Sequence, residues 1–235
     1  MCYMKSLNKR IYLKGSVAIV LLLALVSGCK KMDDTYREFI GDGETIYVGK
    51  ADSLKLQGGK NRLQVSWLLI SDPKVSGYKV LWNAGRDSLT GNLVKSPDVD
   101  TVRLVVNNME EGSHHFDVYL YDSRGNSSVK TSAVGKVYGE RYRQSLLNRA
   151  FRSYKRTGNN LEITWMPADE TMSRVEVIYT NLSGNEVTHV VHETATIDVL
   201  ANVPANAAIR YRTYFLPEPQ ALDEFVTDYS TVTVP

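Results

Sequence analysis

Cysteine is nearly missing from this 235-residue chain. There are two, Cys2 and Cys29, so no disulfide framework can carry the fold. Histidine is as scarce, with four residues in two close pairs, His114 with His115 and His189 with His192. On a strand, adjacent residues point to opposite faces and so do residues three apart. Neither pair can present two ligands from one face, and no metal site is expected. A Gly-x-Ser-x-Gly elbow, a His-Glu-x-x-His helix, a phosphate-binding glycine loop and an EF-hand loop are all absent. The carboxylate pairs Asp33-Asp34, Glu110-Glu111 and Asp169-Glu170 fall in turn-like or tail settings, whereas a glycosidase needs two carboxylates facing each other across a cleft. They read as solvated turns. No catalytic residue and no cofactor is expected, and the chain reads as a non-enzyme.

Long hydrophobic runs are lacking too. The longest, Val17 to Val26, covers ten residues, about half of the roughly twenty that a membrane-spanning helix requires. Lys5, Lys9, Arg10 and Lys14 precede it and Ser27-Gly28-Cys29 follows, which is the order of a cleavable export signal: a basic start, an apolar centre and a small-residue cut site. Val26-Ser27-Gly28-Cys29 resembles a bacterial lipobox. That resemblance implies a lipid on the Cys29 thiol and cleavage between Gly28 and Cys29. Since Cys2 falls in the discarded segment, lipidation also accounts for the one remaining thiol. The following Lys30-Lys31-Met32-Asp33-Asp34 resembles the tracts behind the lipid cysteine of Bacteroidetes lipoproteins displayed on the cell surface; a plain solvated tether reads equally well.

Processing changes the charge. The precursor carries 28 basic and 26 acidic residues. Four of the basic residues and none of the acidic ones precede Cys29, which leaves 24 against 26, a net −2. Nucleic-acid binding therefore has no general electrostatic case. One basic cluster remains, Arg141, Arg143, Arg149, Arg152, Lys155 and Arg156, and it is expected to be a solvated linker face rather than a polyanion site.

The roughly 200 residues after the leader suffice for one large domain or two small ones, and an internal repeat favours two. Leu63-Gln-Val-Ser-Trp67 recurs as Leu161-Glu-Ile-Thr-Trp165, 98 positions on, and each copy follows a polar turn. Both alternate apolar and polar residues with the tryptophan on the apolar face, as in half-buried strands. Gly77 to Trp82 and Arg174 to Tyr179 supply a second alternating strand in each copy. After residue 29 no helical stripe runs for three turns; Arg143 to Arg152, with Leu146, Leu147 and Phe151, has room for one or two. The expected layout is 1–28 signal peptide, 29–44 tether, 45–138 first β-sandwich, 139–149 connection, and 150–235 a second, divergent β-sandwich.

Trp67, Tyr78-Lys-Val80 and the run Phe116-Asp-Val118-Tyr-Leu120-Tyr-Asp122-Ser-Arg-Gly125-Asn126 resemble a fibronectin type III domain, an immunoglobulin-like sandwich. The resemblance places Trp67 on strand B, Tyr78 on C, and Phe116 on F, running into an Asp-x-x-Gly-Asn turn in which Gly125 and Asn126 take positive φ. It departs at the tyrosine corner, occupied by His114. The second copy keeps Trp165, lacks the Gly-Asn turn after its strand F, and has the longer loop Leu216 to Glu224 instead. From Tyr36 to Glu44 and beyond, the chain also resembles uncharacterised Bacteroidetes surface lipoproteins associated with polysaccharide utilisation, which implies outer-membrane, cell-surface glycan handling only by association.

In the fibronectin arrangement strands C and F are neighbours, which sets Leu81, Tyr119 and Tyr121 on an outward apolar patch, with Trp82 inward but partly exposed at the strand end. These four are the candidate ligand or partner surface. The patch reads either as a platform for sugar rings or a partner protein, or as a face packed against the second sandwich. The expected partners are the membrane, through lipid on Cys29, and a glycan or outer-membrane importer proteins. The alternative is an adhesin or structural subunit that binds protein.

Overall fold

Alternating residues make strands here, and the strands stack as two pairs of antiparallel sheets. The computed structural model describes residues 47–70, 72–94, 96 and 98–235. Gly28, Cys29, the rest of the 29–44 tether and the first two positions of the expected 45–138 sandwich lie outside the described residues. The first sandwich comprises β1 (Asp52–Gly59), β2 (Arg62–Leu69), β3 (Val75–Trp82), β4 (Asp87–Asn92), β5 (Asp100–Asn107), β6 (Gly112–Asp122) and β7 (Thr131–Val137), in sheets ordered β1-β2-β5 and β4-β3-β6-β7. The second comprises β8 (Phe151–Thr157), β9 (Asn160–Trp165), β10 (Met172–Thr180), β11 (Glu186–His192), β12 (Ile197–Leu200), β13 (Ala208–Phe215), β14 (Phe225–Val226) and β15 (Ser230–Thr233). Its sheets are β12-β9-β8 and β11-β10-β13, with β14 and β15 both pairing β13. The order repeats between the halves, and it is the expected all-β pair of fibronectin type III-like sandwiches. Among the described residues no helix is long and apolar enough to cross a membrane.

Period-2 patterning fixes what is buried. Leu63, Val65, Trp67 and Leu69 of β2 meet Phe116, Val118 and Leu120 of β6 in the first core. Leu161, Ile163 and Trp165 meet Val175, Val177, Ile209 and Phe215 in the second. Trp67 and Trp165 are 1% and 2% exposed, and truncating either would cost about 3–5 kcal/mol.

The corner at His114 is a replacement rather than a loss. A tyrosine corner ties the start of strand F to backbone a few residues upstream; here the His114 Nε2 lies 2.8 Å from the Glu110 carbonyl oxygen, so the imidazole N–H donates the equivalent bond. In the turn after β6, Gly125 takes φ +86° as expected, but Asn126 does not take a positive φ. It serves through hydrogen bonds instead. Its backbone N–H and its side-chain Nδ2 donate to the Asp122 carboxylate at 2.9 and 2.7 Å. The same turn recurs in the second sandwich between β10 and β11, where Asn181 Oδ1 accepts from Ser183 and Asn185 N–H and Gly184 takes φ +83°.

The helical turns fall earlier than expected. Helix α1 covers Glu140–Ser145, and Phe151 opens β8. The start of α1 is held from the first sandwich, because the Glu111 carboxylate accepts the N–H groups of Arg141 and Tyr142 at 2.9 and 2.7 Å and relieves donors that a helix start leaves orphaned. Glu111 is thus a cap rather than one of two solvated turn acids.

Candidate binding sites

β3 and β6 pair with Tyr78 opposite Leu120 and Val80 opposite Val118, so Gly77, Lys79 and Leu81 share the outer face with Tyr121, Tyr119 and Asp117. Leu81, Tyr119 and Tyr121 are half-buried on that face. The surface is mixed rather than apolar. Lys79 faces Tyr119 and Asp117 faces Leu81, and Asp117 also takes the Ser132 hydroxyl at 2.6 Å and lies 3.5 Å from the Lys130 ammonium. Trp82 does not join the other three. Its ring stacks on Phe116 at 5.8 Å and packs against the first core.

The exposed edge of Trp82 instead borders a cavity of about 550 Å³ at the end of the sandwich, lined by Asn83, Arg86, Asp87, Asn107, Asn108, Glu110 and His114. A tight turn builds one wall, with Asn83, Ala84 and Gly85 at φ +53°, +55° and +80°. Side chains hold it: Arg86 Nη2 donates to Asn83 Oδ1 at 2.7 Å, and Asn83 Nδ2 donates to Asp87 Oδ2 at 3.0 Å. The opposite wall comes from the loop after β5, where Asn108 has φ +56°. An aromatic ring braced from behind thus borders a ring of planar polar groups.

At the same end the two sandwiches meet. The long loop after β13 lies across the β1–β2 turn. Asp223 accepts from Arg62 Nε and Nη2 at 2.9 and 2.6 Å and from the Lys60 N–H at 2.7 Å, Leu222 N–H donates to the Gly58 carbonyl at 2.8 Å, and the Tyr138 hydroxyl donates to Glu218 at 2.6 Å. Tyr138, Tyr142 and Phe225 form an edge-to-face cluster with centroids 4.9 to 6.0 Å apart. Beside it opens a groove of about 620 Å³, walled by Tyr142, Leu146, Arg149, Met166, Asp169 and Phe215 among others. The expected packing of the Tyr119 face against the second sandwich is not how the halves join; the hydrogen bonds just named run through the β1–β2 turn and Tyr138.

The basic cluster of the connection is only in part the expected solvated face: Arg141, Arg152 and Lys155 are exposed, whereas Arg143 and Arg156 are half-buried and Arg149 is buried. Arg141 lies 3.7 Å from Glu111, Arg143 pairs with Glu140 and Asp228, and Arg156 donates to the Val203 and Pro204 carbonyls.

A set that sequence reasoning missed covers the outer face of the second sandwich. Arg174 lies 3.8 Å from the Tyr214 ring centroid and Arg212 lies 4.5 Å from that of Tyr229, cation–π distances. Glu176 accepts from Arg212 Nε at 2.7 Å and from the Tyr229 hydroxyl at 2.6 Å. Burial alone would raise the Glu176 pKa; these hydrogen bonds bring it below the usual range. The signal was present in the alternation Arg210, Arg212, Tyr214 along β13.

Among the described residues, each carboxylate with a clear pKa displacement is pushed down: Asp72, Asp122, Glu140, Asp169, Glu176, Asp223 and Glu224. For Asp72 the cause is the Gly49 and Lys74 N–H groups; for Asp169, the Thr171 hydroxyl and N–H. A general acid is tuned the other way. His189 Nε2 lies 2.7 Å from Asp198 and His115 lies 3.6 Å from Asp117. Among the described residues no group of three His, Cys, Asp or Glu side chains is placed to hold a metal ion.

The profile of the DUF4998 family, described as a domain of unknown function, matches residues 29–225. No curated protein matches the chain. Among solved structures the chain is similar to the FN1–FN3 domains of chicken CNTN1, at 11% identity and a TM-score of 0.43 over 79% of this chain and 64% of that one. It is also similar to a two-domain fibronectin type III segment from chicken tenascin, at 12% identity and a TM-score of 0.31 over 79% of this chain and all of that one.

Proposed function

The chain belongs to the DUF4998 family, and on that premise we propose that it is a non-catalytic lipoprotein of the bacterial outer membrane, displayed on the cell surface, that binds a glycan within a polysaccharide-utilisation system. The observation that carries this reading is the Trp82 cavity. A sugar offers a C–H face and a rim of hydroxyls, which suit an aromatic ring flanked by planar donors and acceptors such as Asn83, Arg86, Asp87 and Asn107. The family match begins at Cys29, the residue the lipobox pattern makes the mature N-terminus.

Electrophoresis of the mature protein through polysaccharide-containing gels tests this. Retention by at least one glycan is expected, weakened about tenfold, or ~1.4 kcal/mol, in Arg86→Ala and Asn107→Ala and unchanged in Tyr119→Ala and Tyr121→Ala. Loss only in the tyrosine variants moves the site to the outer face of β3 and β6. Free migration through every glycan sinks the proposal and favours a protein-binding subunit, for which the short edge strand β12, with Ile197 and Val199 56% and 47% exposed, supplies a pairing edge.

A further inference from the structure

The groove at the junction holds a buried cation with no acid paired to it. Arg149 is 6% exposed. Its backbone N–H donates to Thr213 Oγ1 at 2.9 Å and its Nε to the Met166 carbonyl at 2.8 Å, while Nη1 is buried with no acceptor. The guanidinium carbon lies 5.7 Å from the Trp165 ring centroid, a contact that steadies the charge without neutralising it. Burial lowers the pKa of this arginine and no neighbouring carboxylate opposes the shift.

The groove supplies no such carboxylate. Its other charged side chains are Lys136, whose ammonium sits 5.1 Å from the Tyr138 ring centroid, and Asp169, whose Oδ1 already takes the Thr171 N–H at 2.8 Å and hydroxyl at 2.6 Å. A buried charge left unpaired is costly, and buried polar groups without partners call for an explanation. The rest of the wall is largely apolar, as in pockets for small molecules, which occur preferentially where domains meet.

We propose that this groove is a binding site for a small organic monocarboxylate with an apolar or aromatic body, its carboxylate accepting from Arg149 and its body lying against Tyr142, Met166 and Phe215. A planar guanidinium matches a carboxylate. Asp169 at the wall disfavours a dianion such as phosphate. The site is separate from the Trp82 cavity, so each stands or falls without the other.

Isothermal titration of the mature protein with 3-phenylpropanoate, its uncharged amide and galacturonate tests the assignment. 3-Phenylpropanoate is expected to bind at least about tenfold more tightly than the amide, the share of one charge-assisted hydrogen bond, and more tightly than galacturonate. Arg149→Met is expected to lose that preference while raising the thermal midpoint, because it removes an unpaired buried charge in favour of an apolar chain of similar reach. Should Arg149→Met fail to fold, Leu147→Glu carries the test: Leu147 is 81% exposed on the groove, and an acid there should weaken the carboxylate about tenfold and leave the amide unaffected. Equal binding of acid and amide, tighter binding of galacturonate, no binding by the wild type, or unchanged binding in the folded variants would each overturn the proposal.

Discussion

Asp223 collects three donors from the other sandwich, two from Arg62 and one from the Lys60 backbone. The Arg62 hydrogen bond, more than the opposing burial, holds its pKa below the ordinary 3.8. A carboxylate lowered by folding contributes stability above its unfolded pKa and loses it as pH falls through the folded one. Asp223→Asn is therefore expected to destabilise the protein at pH 7 by about 1 kcal/mol, given a part-exposed but two-pronged pair, with the gap to wild type closing below about pH 3.8. Urea unfolding at pH 7 and pH 3 measures it; an equal gap at both would deny the pair any net role. Little of this is legible in sequence, because the partners stand 161 positions apart and nothing local to either names the other.

The β1–β2 turn is an element whose composition only makes sense against its neighbours. A Cβ on Gly58 would lie 2.1 Å from the Lys136 carbonyl oxygen, and one on Gly59 would lie 2.4 Å from Asp223 Oδ2 and 2.9 Å from Leu222 Cβ. Neither glycine has positive φ, so close approach rather than backbone conformation requires them. Gly58→Ala meets backbone and is expected to cost about 2–3 kcal/mol, whereas Gly59→Ala meets a side chain and a loop able to shift and should cost about 1. Chemical denaturation of the two variants checks the order, and the reverse order would show that the loop after β13, not β7, is the rigid wall. In the sequence these glycines mark only a turn. The loop Leu216 to Glu224 likewise reads as divergence from the first copy until it is seen lying across that turn.

For the whole molecule, the proposed processing at Cys29 would leave a net charge of −2 and a tether. Palmitate labelling in a bacterial host should mark the wild type and not Cys29→Ala, which should also retain its leader; equal labelling of the two would refute lipidation at this thiol.

What the sequence determined by itself is what is encoded locally. Alternation along Leu63 to Trp67 and Leu161 to Trp165 set which side chains are buried, since a strand's period of two needs no partner to be read; the Gly125 turn and the ten-residue apolar run before Cys29 are local as well. What only the tertiary structure decided depends on neighbours far along the chain. Trp82 is braced by Phe116 over a polar cavity, His114 replaces a corner through a backbone bond, and Arg149, one of six bases in an apparently solvated run, is buried against Met166 and Trp165 with a donor unspent. Burial of a charge is set by what the rest of the chain packs around it, and no stretch of residues carries that information alone.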